Sequence, residues 1–189
     1  VLMVFKLTQY ILAMTKLDIR IIPDPVLRRM AGPVAAVDRR IVQLMDDMVA
    51  TMIPADGIGL AAPQVGVLDR VIVCRRGDEE SPEDILRMAN PEILRRSEAL
   101  YTHREGCLSI PEQFAEITRP QKIRVRYLDR NNKAQELEAE DLLSICIQHE
   151  IDHLNGVLFF DYLTPLKRNM MIRKVEKAKK ILSGKGFYE

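Results

Sequence analysis

Apolar residues recur every three or four positions between residues 38 and 54, which predicts an amphipathic helix. The repeat is formed by Ile41, Leu44, Met45, Met48 and Met52. Asp38 can cap the first turn, and Pro54 ends the run. A short apolar run at residues 70–75 then predicts a buried strand.

Strict alternation of apolar and polar residues appears later in the chain and predicts a β-hairpin. Ile123, Val125 and Tyr127 form the apolar side of its first strand. A polar turn at residues 129–132 separates this strand from the returning one. Residues 77–84 are predicted to be a polar surface loop.

Residues 140–156 are apolar on almost every side of a helix, which predicts that this helix is buried at the centre of the fold. Gly156 stands where such a helix ends. A basic helix is predicted from Leu166 onward. Strands and hairpins between an early helix and two late helices indicate an α+β domain, with antiparallel β-sheets packed around the central helix and a C-terminal helix.

The length and composition fit one domain. The chain has 189 residues, of which 47% are hydrophobic, and this is enough to bury a core without disulfides. We predict that residues 14–189 form the domain and that residues 1–13 are an upstream or non-native extension outside the fold. The cysteines, Cys74, Cys107 and Cys146, are odd in number, which favours a reducing compartment such as the cytoplasm.

Charge is distributed unevenly. The net charge is +1, but residues 166–189 contain eight cations and two anions and therefore carry +6. Such a run usually forms a solvated helix face, and a polyanionic partner such as ribosomal RNA is the alternative. No apolar run approaches the roughly 18 residues of a membrane span. We expect neither a membrane nor DNA as a partner.

The candidate chemistry lies in the predicted buried helix, where residues 149–153 match the pattern His-Glu-x-x-His. Residues four apart share a helix face, so His149 and His153 can reach one metal ion while Glu150 serves as a base beside it. Two hydrogen-bonded histidines in a metal-free core are the alternative. That alternative is disfavoured because burying these groups without a cation costs several kcal/mol.

A catalytic metal site needs a third protein ligand and an open position for water. By residue type, the candidates are Cys107, Cys146, Asp152 and His103. A closed structural site in which both cysteines join the two histidines is the main alternative. It is disfavoured because Cys146 lies in an apolar stripe, and because a structural site has no use for Glu150.

Three segments together resemble the signature motifs of the bacterial peptide deformylase family. They are GIGLAAPQVG (57–66), EGCLS (105–109) and QHEIDHL (148–154), in the order of that family. Residues 22–34 are similar to its N-terminal segment, so the resemblance runs from about Met14 to the C-terminus. Gly106 and the C-terminal helix are similar to the type 1 branch.

The resemblance implies a metal-dependent hydrolase that removes the N-formyl group from the N-terminal formyl-methionine of nascent polypeptides and releases formate. Cys107, His149 and His153 would bind one divalent ion. Fe(II) is the expected physiological metal, and Zn, Ni or Co would also suit one thiolate and two imidazoles.

The resemblance also assigns the catalytic roles. Glu150 would be the general acid/base, which takes a proton from metal-bound water so that the hydroxide attacks the formyl carbon. Gln64 and the backbone N–H of Leu108 would hold the developing oxyanion.

A peptide-binding cleft is implied as well. Gly57 and Gly59 would let the backbone approach the metal and present free N–H and C=O groups to an extended peptide, which would bind as an added strand. A simple tight turn is the alternative. An apolar pocket for the methionine side chain would be lined by Ile58, Leu142 and Ile145, together with the ring of His149. Ordinary core packing is the alternative for the aliphatic residues.

Charged residues near the motifs are predicted to support the ligands. Glu105 and Arg119 are expected to form a buried ion pair that fixes the strand carrying Cys107, and two unrelated surface charges are the alternative. Asp152 is a candidate to orient a ligand through a hydrogen bond, and an ordinary surface carboxylate is the alternative. His103 is expected at the rim of the cleft.

Two other functions stay open at this point. An endopeptidase of the His-Glu-x-x-His class normally takes its third ligand downstream, but only about 35 residues follow His153. A ribosome-binding or nucleic-acid-binding module with a structural metal would instead depend on the basic tail.

Overall fold

The structure, a computed structural model, describes residues 15–77 and 84–184. The predicted extension at residues 1–13 and most of the predicted loop at 77–84 lie outside the described residues. In these ranges the strands are β1 (Gly59–Ala61), β2 (Val71–Arg75), β3 (Ile85–Arg96), β4 (Leu100–Cys107), β5 (Ile110–Pro120), β6 (Lys122–Leu128) and β7 (Ala134–Glu140). The α-helices are α1 (Arg39–Met52), α2 (Asp141–Leu154) and α3 (Pro165–Gly184).

The strands form two antiparallel sheets. One has five strands in the order β1-β2-β3-β6-β7, and the other is the hairpin β4-β5. Helix α2 packs on one face of the larger sheet, where Ile72 and Cys74 of β2 are buried. Helix α1 packs on the other face, against Val71 and Val73. The predicted α+β architecture around a central helix is confirmed.

Helix α1 forms where the apolar repeat predicts it. The Asp38 carboxylate accepts a hydrogen bond from the Ile41 N–H at 2.9 Å and so caps the first turn. The helix ends at Met52, and Pro54 lies in the short 3₁₀ turn that follows. The buried face includes Ile41, Met45, Met48, Val49 and Met52.

The predicted hairpin is also present as β6 and β7. Val125 faces Leu137 across the ladder, and Ile123, Val125 and Tyr127 are buried on one side of the strand. Arg124 lies on the exposed side. The period-two pattern therefore fixed both the strands and the face that is buried.

Strand β3 was not predicted from the sequence, and of the hairpin β4-β5 only a strand carrying Cys107 was expected. An Asn-Pro pair such as residues 90–91 is typical of a turn. Here, however, Asn90 takes a φ of 49° at a β-bulge, and the strand continues beyond it. The Asn90 side chain accepts from the Val34 N–H at 2.9 Å and donates to the Val34 carbonyl at 2.8 Å. This contact across 56 residues holds the bulge in place, and no local pattern reveals it.

Helix α2 is buried along most of its length, as predicted, and Gly156 takes a φ of 72° just after its end. Its first turn is an exception, because Leu142 is 40% exposed there. The first turn of α2 opens into a cleft instead of the core.

A third apolar cluster joins the hairpin β4-β5 to the C-terminal part of the chain. It contains Ile110, Ile117, Leu158, Phe159, Phe160 and Val175. The aromatic pair belongs to a 3₁₀ turn at Phe159–Tyr162, and Val175 is a buried residue of α3. Among the helices described, none has the length and apolar character needed to cross a membrane.

Candidate active site

A cleft of about 470 Å³ lies between β1, the hairpin β4-β5 and helix α2. Residues from all three sequence motifs line it. The lining residues that the sequence analysis singled out are Gly57, Ile58, Gly59, Gln64, His103, Glu105, Cys107, Leu108, Leu142, Ile145, Cys146, His149 and Glu150. Residues separated by almost a hundred positions therefore meet at one surface.

Three potential metal ligands converge beside this cleft. Cys107 comes from the end of β4, and His149 and His153 come from successive turns of α2. Their ligand atoms lie within 4.8 Å of one another, and Cys107 Sγ is 3.2 Å from His153 Nε2. The two rings meet edge to face, with centroids 4.9 Å apart. In the described ranges this is the one group of three or more such residues close enough to share an ion.

The orientation of His149 is fixed by a carboxylate behind it. His149 Nδ1 and Glu105 Oε2 are 2.8 Å apart, which leaves Nε2 directed toward the other ligands. Burial opposes protonation of this ring, but hydrogen bonds with Cys107 and Glu105 raise the pKa of His149 well above its usual value. Negative groups that favour a proton at this position also favour a metal cation.

His153 is surrounded differently. Burial, together with the charge of His149, lowers the pKa of His153 well below its usual value. This imidazole therefore stays neutral, which is the form that binds metals.

The predicted ion pair between Glu105 and Arg119 is present and is almost completely buried. Arg119 Nε donates to Glu105 Oε1 at 2.6 Å, and a second nitrogen donates to Oε2 at 3.0 Å. The third nitrogen of Arg119 donates to Asp152 at 2.7 Å. Asp152 thus contacts Arg119 instead of an imidazole, so any effect on the ligands passes through Arg119 and Glu105.

Glu150 lies beside the ligands and is 4% exposed. Burial raises the pKa of its carboxyl to about 7. The carboxylate fits against Gly59, where an added Cβ would lie 2.4 Å from Glu150 Oε1 and 2.7 Å from Cys146 Sγ. Only glycine allows β1 to pass so close to this carboxylate.

Gln64 is held rigidly at the other side of the cleft. Its side-chain oxygen accepts from the Ala61 N–H at 2.8 Å, so its amide nitrogen must point the opposite way. That nitrogen donates to Ser109 Oγ at 3.2 Å and lies 3.5 Å from Cys107 Sγ. The arrangement aims an N–H donor at the ligand cluster.

Cys146 does not join the ligand group. Its thiol donates to the Ile58 carbonyl at 3.3 Å and packs in the core beside Cys74. A closed site with two cysteines and two histidines is therefore not formed. The ligand group keeps an open side toward the cleft.

Three residues that support the site were not predicted from the sequence. Ser109, fully buried, holds the Gln64 amide, and its position inside the EGCLS motif was a usable signal. Phe159 stacks on His149 with ring centroids 6.2 Å apart, and Tyr162 donates to Asp152 at 2.9 Å. The sequence around Phe159 and Tyr162 carried no signal for these contacts.

The chemistry of this group fits a divalent metal ion. One thiol and two imidazoles are ligands that Zn, Fe and related ions accept, and three protein ligands leave a position for solvent. Two buried polar atoms, Glu150 Oε2 and His153 Nδ1, have no hydrogen-bond partner among the described residues. An unpaired buried polar atom is costly, so the Glu150 oxygen beside the ligands favours a site that takes a group from outside the chain. His153 Nδ1 does not bear on this, because it is Nε2 of that ring that faces Cys107.

Comparison with known proteins supports this interpretation. A family model described as Polypeptide deformylase matches residues 16–169. The peptide deformylase of Methylocella silvestris is 54% identical over 164 residues, which cover 85% of this chain and 84% of that protein. The peptide deformylase of Rhizobium meliloti is 50% identical over 175 residues, covering 91% of this chain and 99% of that protein.

A solved structure gives the same result at the level of the fold. It is the crystal structure of peptide deformylase from Ehrlichia chaffeensis in complex with actinonin. The two chains are 41% identical with a TM-score of 0.83, and the match covers 87% of this chain and 98% of the other. The resemblance found in three short motifs thus extends over most of the sequence and over the fold, and the chain belongs to the peptide deformylase family.

Proposed function

We infer that this protein is a peptide deformylase, a hydrolase that removes the N-formyl group from the N-terminal formyl-methionine of nascent polypeptides and releases formate. The observation that carries this function is the convergence of Cys107, His149 and His153 beside Glu150, at the side of an open cleft. Family membership supports the same activity.

We propose that Cys107, His149 and His153 hold one divalent ion. When bound, the ion supplies Lewis acidity, which makes water a nucleophile near neutral pH. Fe(II) is our proposal for the physiological metal, and Zn, Ni and Co suit the same ligands. Metal analysis of protein purified without oxygen, compared with protein purified in air, would identify the ion.

The remaining steps belong to side chains and backbone of the chain itself. Glu150 takes a proton from the attacking water and later returns it to the leaving amine as the formyl C–N bond breaks. The Gln64 amide and the Leu108 N–H stabilise the negative charge that develops on the formyl oxygen. Glu105 and Arg119 keep His149 oriented, and Asp152 supports Arg119.

The substrate backbone is proposed to lie along the β1 edge at residues 57–59, where it adds a strand. Gly57 and Gly59 line this side of the cleft, and their lack of a Cβ lets the chain pass close to Leu108 and Glu150. Ile58, Leu142 and Ile145 line the cleft, and we propose that they receive the methionine side chain. The 40% exposure of Leu142 is consistent with an apolar surface that awaits a ligand.

A formate-release assay tests the function directly. We expect metal-loaded protein to release formate from formyl-Met-Ala-Ser and to leave the internal bonds of longer peptides intact. Glu150→Gln keeps the size of the side chain but removes the base, so deformylation should fall by about 10²- to 10⁴-fold while metal content and fold persist. Glu138→Gln, at an exposed glutamate of β7, is the matched control.

Two results would contradict this assignment. Cleavage of internal peptide bonds without formate release would favour the endopeptidase alternative. Full activity of Glu150→Gln would exclude Glu150 as the proton carrier.

Helix α3 supports a second proposal about location and partners. We propose that the protein acts in the cytoplasm and that the exposed cations of α3 contact ribosomal RNA. Deleting the helix would also remove the buried Val175. Substitutions that replace exposed lysines by uncharged residues are therefore the better test. Lys167→Gln, Lys174→Gln and Lys177→Gln combined should weaken salt-dependent association with ribosomes and leave deformylation of short peptides unchanged. Association that persists unchanged would contradict this contact.

A further inference from the structure

Behind the candidate metal ligands, Tyr162 closes a chain of buried polar contacts. Its hydroxyl donates to Asp152 Oδ2 at 2.9 Å. Its ring lies under the guanidinium of Arg119, with 4.9 Å between Arg119 Cζ and the ring centroid. One side chain thus contacts both members of the Arg119–Asp152 pair.

The chain of contacts is continuous from Tyr162 to the imidazole of His149. Arg119 donates to Asp152 at 2.7 Å and to Glu105 at 2.6 and 3.0 Å. Glu105 Oε2 is 2.8 Å from His149 Nδ1. Every link lies within ordinary hydrogen-bond distance, and Arg119 and Glu105 are both about 4% exposed.

Arg119 is held by contacts at all three of its nitrogens and at one face of its guanidinium. Its nitrogens are used by Glu105 and Asp152, and the ring of Tyr162 covers its flat face. Tyr162 is 53% exposed, so it stands between this buried network and solvent. Without the ring, water reaches Arg119 and Asp152 and competes for their hydrogen bonds.

We propose that Tyr162 is a positioning residue for the metal ligand His149, and that it acts through Asp152, Arg119 and Glu105. This inference rests on the metal-dependent function proposed above. Partners that orient a metal-bound histidine usually matter about 10- to 100-fold for metal affinity. Tyr162 lies further from the His149 imidazole than Glu105 does, so its effect on metal affinity should be at the lower end of that range.

Metal affinity gives the test, because it does not depend on catalysis. The dissociation constant and release rate of Zn²⁺ are measured by competition with a chromophoric chelator. Tyr162→Leu removes both the ring and the hydroxyl, and Zn²⁺ should bind roughly tenfold more weakly and leave faster. Tyr162→Phe keeps the ring over Arg119, so it should recover most of that loss. The visible absorption spectrum of the Co²⁺-loaded protein should shift in Tyr162→Leu and stay close to wild type in Tyr162→Phe.

A control separates positioning from a general loss of stability. Tyr127→Leu removes a tyrosine from the core of the five-stranded sheet. Its melting temperature should fall, but its Zn²⁺ affinity should stay within about twofold of wild type.

Three outcomes would overturn the inference. They are a wild-type Zn²⁺ affinity in Tyr162→Leu, equal losses in Tyr162→Leu and Tyr162→Phe, or an equal loss in Tyr127→Leu. If Tyr162→Leu does not fold, Tyr162→Phe serves as the test. Loss of the hydroxyl alone should weaken Zn²⁺ binding about two- to threefold. An unchanged Zn²⁺ affinity in Tyr162→Phe would then count against the proposal. Wild-type protein that binds Zn²⁺ but releases no formate would contradict the proposed function and leave the Tyr162 measurements valid.

Discussion

At the scale of single residues, Gly59 carries one of the strictest constraints in the site. Its backbone passes so close to Glu150 and Cys146 that a methyl group would lie 2.4 Å and 2.7 Å from them. Both neighbours are buried and cannot swing away into solvent. The glycine is therefore required by space, in addition to the expected role of presenting backbone groups to an extended peptide.

Gly59→Ala should displace the Glu150 carboxylate and lower kcat for deformylation by at least tenfold. It should also destabilise the fold by about 1–3 kcal/mol, as overpacking of a buried site does. Steady-state kinetics and urea denaturation measure the two effects separately.

Gly77→Ala is the matched control for this substitution, since an added Cβ at Gly77 meets no heavy atom within 4 Å. Its kinetics and stability should stay close to wild type. Unchanged kcat in Gly59→Ala would mean that Glu150 tolerates displacement, which would contradict its assignment as the acid/base.

At the scale of elements, the 3₁₀ turn Phe159–Tyr162 connects the site to a distant part of the chain. Asp161 of this turn forms an ion pair with Arg28 and accepts from the Leu158 N–H at 2.9 Å. The neighbouring Phe159 and Tyr162 contact the metal-binding helix and its supporting network. A single short turn thus joins the N-terminal segment to the site.

The Asp161 ion pair predicts a specific dependence of stability on pH. Burial by itself raises the pKa of Asp161, but the hydrogen bonds and charge of Arg28 outweigh it, and the pKa is lowered overall. A lowered native pKa stabilises the fold above the unfolded pKa of about 3.9, and this stabilisation is lost as the pH falls through the native value.

Asp161→Asn should therefore be less stable than wild type near pH 6, and the difference should shrink toward pH 3. Urea denaturation between pH 3 and pH 7 measures it. Asp18→Asn, at an exposed aspartate near the N-terminus, is the control for replacing a carboxylate by an amide. A gap between wild type and Asp161→Asn that stays constant across this range would refute the argument.

At the scale of the whole molecule, the candidate ligands tie the hairpin β4-β5 to helix α2. A metal that binds only the folded chain stabilises it, by about 2.7 kcal/mol at a free concentration a hundredfold above Kd. For a domain of this size, that corresponds to roughly 5–10 °C in melting temperature. Removing the metal with a chelator should therefore lower Tm, and adding it back should restore the loss.

Scanning calorimetry of metal-loaded and chelator-treated protein would check this linkage. Cys107→Ala removes one ligand, so its melting temperature should depend much less on added metal. An equal metal-dependent shift in wild type and Cys107→Ala would show that the stabilising ion binds elsewhere.

Local sequence patterns were sufficient to predict the elements in which buried residues recur at a regular spacing. The repeat of three and four residues predicted α1, and strict alternation predicted the hairpin β6-β7. Strand β3 was not predicted, and its Asn90–Pro91 pair is of a type that is common in turns. Its bulge is stabilised by contacts with Val34, which lies 56 residues away.

The sequence by itself determined the ligand types and the helical spacing that puts His149 and His153 on one face. The period of a helix is a local property, and it needs no tertiary information. Residue chemistry alone left Cys107 and Cys146 as rival ligands. Only the tertiary structure separates them, because it brings Cys107 across 46 residues to His153 and turns the Cys146 thiol to the Ile58 carbonyl. Which side chains converge on one point depends on how the sheets and helix pack, and packing between distant segments leaves no period in the sequence.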